Sequence, residues 1–147
     1  MRLWRLVKQR YAPGLDGEGA RIEGGRWNSP GVPVVYCASS VALAALELYV
    51  HLPPELRTES LLPPLRLIGL EVDDSLVGAL DLASAPEADQ ARRIGDDWLV
   101  AAAGLALSVP ARTVPFDCNV LLNPRHTAMP GVKVVIDEPF RFDDRLL

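Results

Sequence analysis

The segment from Ser39 to Leu52, SSVALAALELYVHL, restricts what this chain can fold into more than any other stretch. Ser39 or Ser40 supplies the side-chain oxygen that a helix N-terminus needs, and Pro53 and Pro54 stop a helix just past Leu52. Between those bounds apolar residues fall on nearly every face, so the helix is predicted to be largely buried. Glu47 is its only carboxylate. A carboxylate in such surroundings is costly unless it is paired or chemically employed. The alternative is a glutamate on the one exposed edge. His51, four residues on, is expected within reach of Glu47 on the same face.

At 147 residues the chain is the size of one ordinary domain, and a single domain over 1–147 is expected. Its 49% hydrophobic and 23% charged residues match a soluble globular protein. No apolar run approaches the roughly 18 residues needed to cross a bilayer, and Met1–Lys8 lacks the apolar core of a secretory signal. Two cysteines, Cys37 and Cys118, do not make a disulfide framework, and no CxxC pair suggests zinc. These observations predict a cytoplasmic, reduced protein with no metal and no membrane contact. A net charge of −4 argues against a general nucleic-acid binder. Residues 1–35 nevertheless hold Arg2, Arg5, Lys8, Arg10, Arg21 and Arg26 against Asp16, Glu18 and Glu23. A basic segment on an acidic body suits a phosphate-bearing small ligand, although an uneven solvated surface explains it equally well.

Strands are expected at Leu3–Val7, Val32–Ala38, Leu65–Val72, Leu105–Val109, Lys133–Ile136 and Phe140–Phe142, with a second helix over Ile94–Ala103. Residues 11–25 and 119–131 read as loops rich in Gly, Pro and Asn, and 73–91 as an acidic loop with a short helical turn. Strands and helices interleave without a βαβ rhythm, which predicts an α+β fold.

Two further clusters could carry chemistry. In Gly24-Gly25-Arg26-Trp27-Asn28-Ser29-Pro30, paired glycines let backbone approach a ligand closely and Arg26 can grip a phosphate or carboxylate with its planar fork. Trp27 can pack beneath or stack, and Asn28 offers both donor and acceptor. A structural turn with a surface arginine is the competing reading. No GKS or GKT follows, so this is not a phosphate-binding P-loop. In Asn119-Val-Leu-Leu-Asn123-Pro124-Arg125-His126, polar side chains between apolar ones commonly hold a loop by bonding its backbone. Tyr36 either belongs to the core or presents its ring to a heterocycle. No GxSxG and no credible catalytic triad is present.

In this order the clusters resemble the RES domain of bacterial toxin–antitoxin systems. The similarity runs through GGRWNSPGVPVVYCASS (24–40), ALAALELYVHL (42–52), IGDDWL (94–99), VPARTVPFDCNVLLNPRH (109–126) and PFRFDDRLL (139–147). It implies an ADP-ribosyltransferase-like fold of the diphtheria-toxin kind, two small packed sheets with flanking helices and NAD⁺ in the cleft between. It also implies a toxin that cleaves the nicotinamide–ribose bond of NAD⁺ by hydrolysis or phosphorolysis, or that transfers ADP-ribose to a protein. The implied partner is an Xre-like antitoxin covering the cleft. The family arginine, tyrosine and glutamate fall on Arg26, Tyr36 and Glu47. Arg26, Trp27, Asn28, Tyr36, Ala111 and Asn119 are then expected to line the NAD⁺ site. The family serine does not carry over: Val109-Pro110-Ala111 stands where Val-Pro-Ser is usual. Either the chain works without that hydroxyl, or a nearby polar group substitutes, or the sequence was altered to tame a toxic protein. Ala111 is the best argument for a third functional reading, a catalytically dead module that only binds antitoxin or nucleotide. Ser108 and Thr113, near in sequence, are not expected at the same point in space.

Overall fold

The computed structural model describes residues 1–58 and 60–147. In chain order its strands are β1 (Arg2–Lys8), β2 (Val35–Ala38), β3 (Leu65–Glu71), β4 (Val77–Ala79), β5 (Ala106–Pro110), β6 (Cys118–Leu122) and β7 (Lys133–Phe140). The α-helices are α1 (Glu18–Glu23), α2 (Val41–His51) and α3 (Ala88–Val100). The architecture is α+β, as composition and pattern imply.

The two sheets expected are one. Seven strands run in the order β4-β5-β6-β2-β1-β3-β7, antiparallel except for the parallel pair β4–β5. The joint is narrow: β1 meets β2 at Trp4 opposite Ala38, whereas β1 and β3 pair from Arg2 to Lys8. About that joint the two halves share a core. Leu3, Ile68 and Leu70 from one half pack with Val35, Cys37, Ala106, Val120 and Leu122 from the other. Ser108 lies opposite Val120, on the face turned away from α2.

The reverse face carries the helices. Leu107, Val109 and Leu121 pack with Ala91 and Leu99 of α3 and with Trp27 and Val34. Ala38 and Ala111 pack with Leu43 and Ala44 of α2, and Trp4 closes that cluster from the side. Ser40 caps α2 by accepting from the Leu43 N–H at 3.1 Å. The expectation that α2 is largely buried is corrected: Leu46 and Val50 are 43% and 47% exposed. One layer of sheet lies under the helix, so an apolar helix here leaves its outer stripe in solvent.

Other elements differ from the pattern reading. The segment from Asn119, read as loop, opens as the central strand β6 because Val120, Leu121 and Leu122 are each fully buried between β5 and β2. The first of the two expected closing strands runs on through Pro139 to Phe140 as β7, which an edge strand tolerates because its free side needs no N–H, while Arg141 and Phe142 lie outside it. The short α1 forms inside the glycine-rich loop, β4 inside the acidic one, and α3 begins at Ala88, earlier than expected.

Candidate active site

Strand register places the site. Tyr36 and Ala38 alternate along β2, so they share a face; Asn119 of β6 lies opposite Ala38, and Leu121 opposite Tyr36. Tyr36 and Asn119 are therefore diagonal neighbours, about 7–8 Å apart on that face. α2 covers one end of it and α3 with the 24–30 turn covers the other, which leaves these two polar side chains between the helices.

Glu47 reaches this face from α2. It is half-buried, and its Oε1 accepts from Asn119 Nδ2 at 2.9 Å. The lone carboxylate of the apolar helix thus has one polar partner, on the strand that pattern reading had missed. His51 does not share it: the ring Nδ1 donates to the Glu47 backbone carbonyl at 2.6 Å, within the helix's own turn.

The 24–30 turn is built around Tyr36 and Asn28. The Tyr36 hydroxyl donates to Asn28 Oδ1 at 2.6 Å and accepts from the Trp27 N–H at 3.0 Å. Burial, first of all, pushes this phenol up to about 12, so it stays a donor. Asn28 is 0% exposed, and its Nδ2 donates to the carbonyls of Ala20, Val32 and Ser29. Gly24 takes a φ of +73°, and a Cβ on Gly25 would stand 2.7 Å from the Tyr36 hydroxyl. Both glycines of the motif are therefore required, one for its conformation and one for space. Trp27 is 2% exposed and packs in the α3 cluster. Neither the Trp27 nor the Asn28 side chain faces solvent, so both serve to build the turn that carries Arg26.

Arg26 is half-buried. Its Nη2 donates to the Pro86 carbonyl just ahead of α3, while its Nε is buried and has no hydrogen-bond partner among the described residues. A buried N–H on a cation, so left, is a donor available to an anionic ligand. The other basic residues near the N-terminus do not converge on it. Arg2 pairs with Glu71, Arg21 pairs with Glu18, Arg10 lies over the Tyr11 ring, and Arg5 stands with Leu3 and Val7 on the opposite face of β1.

Ala111 is 6% exposed beneath α2, against Ala38, Leu43 and Ala44, rather than lining a wet wall. The Asn123–His126 cluster is structural: Asn123 donates to the Leu99 carbonyl and accepts from the Arg125 N–H, and His126 accepts from the Ala128 N–H. Cys37 is buried, and burial pushes its thiol up to about 11, which keeps it unreactive. Among the described residues no group of three or more His, Cys, Asp or Glu could hold a metal ion, and no helix is long and apolar enough to cross a membrane.

Asp96 is the residue that sequence reasoning passed over. Its carboxylate accepts from the Ser29 N–H at 2.8 Å and from Ser29 Oγ at 2.5 Å, locking the turn onto α3. One residue earlier, a Cβ on Gly95 would stand 1.7 Å from the Trp27 carbonyl oxygen. The IGDDWL segment was thus visible in the sequence as a motif, and its role is to dock α3 on the turn.

Comparison with known proteins follows these same segments. The sequence model of the RES domain matches residues 2–143. The chain is 38% identical to the "Toxin Res" of Yersinia enterocolitica, across 99% of each. It is 35% identical to the "Prs ADP-ribosylating toxin" of a Sphingobium species, covering 98% of this chain and 95% of that one. Among solved structures, a chain of the M. tuberculosis MbcT–MbcA toxin–antitoxin complex superposes with a TM-score of 0.68 over 95% of this chain and 83% of that chain, at 23% identity, a likeness of fold.

Proposed function

The chain belongs to the RES domain family, and on that premise we propose that it is the toxin of a toxin–antitoxin pair and that it cleaves the nicotinamide–ribose bond of NAD⁺. The observation that carries this reading is the Glu47–Asn119 contact, a half-buried carboxylate held on the sheet face that also bears Tyr36, beside the turn that presents Arg26. The two relatives named above are a toxin and an ADP-ribosylating toxin. On this reading NAD⁺ lies between α2 and the α3-bound turn, over the sheet face that bears Tyr36 and Asn119.

Cleavage breaks the C1′–N bond, and its electron pair leaves with nicotinamide as a neutral group. The ribose left behind carries oxocarbenium-like positive charge. The Glu47 carboxylate stabilises that charge and accepts a proton from the incoming water, or receives none if phosphate attacks. Asn119 holds one carboxylate oxygen, which fixes the direction of the other. Arg26 binds the pyrophosphate through its free Nε. The Tyr36 ring stacks on nicotinamide while its hydroxyl keeps the turn in register. Trp27 and Asn28 act through that turn.

Induction without a partner is expected to lower cellular NAD⁺ and halt growth, and Glu47→Ala to abolish both effects, since loss of one such electrostatic contact costs about 10²–10³ in rate. Labelled NAD⁺ in a lysate reads out the reaction directly. Free ADP-ribose supports cleavage. One labelled protein band supports transfer to a protein, the second reading, which the ADP-ribosylating Sphingobium relative favours. No reaction from folded protein supports a binding module, the reading that Ala111 motivates.

A further inference from the structure

The PFRFDDRLL segment, 139–147, contributes no residue to the candidate site, yet it folds onto the helix that carries Glu47. Phe140 closes β7, and its ring meets that of Phe142 edge-on, 5.3 Å between centroids. Phe142 is buried and meets the Tyr49 ring of α2 edge-on at 6.0 Å. The Tyr49 hydroxyl donates to the Leu146 carbonyl at 3.0 Å. The Arg57 guanidinium lies over the same ring, 4.7 Å from its centroid, and its Nε donates to the Leu52 carbonyl just past α2 at 3.2 Å. Tyr49 is therefore gripped by Phe142, Leu146 and Arg57 together.

The helix needs that grip. Its buried residues are Leu43 and Ala44, both in its first half. They rest on Ala38 of β2 and on Ala111 just past β5, within one half of the sheet. Past Ala44 no residue of α2 is buried; Leu46 and Val50 face solvent, and the His51 ring bonds the helix's own backbone. Tyr49 ties this second half to the chain leaving β7, in the other half of the sheet. The helix thus bridges the narrow joint between β1 and β2, with Glu47 between its two anchorages. Glu47 lies three residues beyond Ala44, about 4.5 Å along the axis, and two before Tyr49. A helix fixed at one end pivots, whereas a reacting group must be held within about 0.5 Å of its working position.

We infer that Tyr49 and Phe142 are positioning residues for Glu47: their aromatic clamp sets where α2 lies over the sheet, and with it the reach of the carboxylate to Asn119 and to the bound ribose. The inference rests on the NAD⁺ cleavage reading and gives the C-terminal motif a part in it. Neither ring touches the substrate. Arg26 and Tyr36 stand on the turn and on β2, apart from the clamp, so its loss affects turnover rather than binding.

The test is Tyr49→Ala in the full chain, with Tyr49→Phe as the conservative variant. Tyr49 is half-buried and alanine suits a helix, so Tyr49→Ala is expected to fold. Should it not, Tyr49→Leu, which keeps apolar bulk but loses the ring and the hydroxyl, is read in the same way. Expected is a fall of about 10-fold in kcat for NAD⁺ with KM unchanged, largely restored in Tyr49→Phe. A second readout needs no activity: the NMR signal of the Asn119 side-chain amide, which in Glu47→Ala marks the contact as absent. In Tyr49→Ala it is expected to move most of the way from its wild-type position to that one, and in Phe142→Ala likewise. An Asn119 signal unmoved in the Tyr49 variant overturns the inference, whatever happens to Tm or kcat, as does a loss carried by KM. Coincident signals in wild type and Glu47→Ala also overturn it, because the contact to be positioned is then not made. Wild-type protein that leaves NAD⁺ intact refutes the cleavage reading instead, and the Asn119 signal still decides whether the clamp places Glu47.

Discussion

At the scale of single residues, Ala111 and Tyr36 show how placement changes what a side chain means. Ala111, at the position where the resemblance to RES domains leads to the expectation of a serine, is seated in a closed apolar contact with Leu43 and Ala44 of α2. Ala111→Ser is therefore expected to destabilise the protein by about 1–3 kcal/mol, the cost of a buried hydroxyl without a partner. An unchanged denaturation midpoint would mean that the hydroxyl reaches a partner across the α2 interface. Tyr36 keeps its proton in the folded chain up to about 12, while an exposed tyrosine loses it near 10. Between those values the unfolded chain binds fewer protons than the folded one, so stability falls as pH rises through that window, by about 2–3 kcal/mol in all. The buried Cys37 thiol, up at about 11, adds loss of the same sign. Tyr36→Phe should lower stability at neutral pH, because Asn28 and the Trp27 N–H lose their partner, and should flatten the alkaline branch. Urea midpoints at several pH values between 8 and 12 measure both effects; an alkaline slope as steep as wild type would remove the phenol from the account.

At the scale of elements, α3 and the 24–30 turn form one unit. The inner stripe of α3, Ala91, Gly95 and Leu99, is buried, and Gly95 meets the Trp27 carbonyl with no room for a methyl. Gly95→Ala gains helix propensity of about 1 kcal/mol, yet it must push the turn off the helix. The net effect is expected to be strongly destabilising, about 3 kcal/mol or more, with loss of activity as Arg26 moves. Thermal denaturation of Gly95→Ala checks this, and a Tm at or above wild type would show that the turn can shift at little cost. The ends of α2 were legible in the sequence because Ser40, Pro53 and Pro54 act locally. β6 was not, because Asn119 and the Asn–Pro pair after the strand carry loop signals, and only pairing with β5 and β2 on both sides overrides them.

At the scale of the molecule, the shared core makes the two halves of the sheet interdependent. β1 and β2 touch at one registered pair, so backbone pairing alone would couple the halves weakly. Leu3, Ile68 and Leu70 instead bury themselves against Val120 and Leu122 of the other half. Unfolding is therefore expected as a single transition, with tryptophan fluorescence from Trp4, Trp27 and Trp98 and far-UV circular dichroism giving coincident midpoints. Separate midpoints would show that the halves are independent units. The sequence by itself determined the class of the fold, the ends of α2 and the family, because propensity, capping and motif spacing are properties of neighbours along the chain. Only the tertiary structure decided that Asn119 holds Glu47, that Trp27 and Asn28 face inward, and that Asp96 locks the 24–30 turn onto α3. Each of those facts is a contact between segments far apart in sequence, and no local pattern encodes which distant group will complete a side chain's hydrogen bonds.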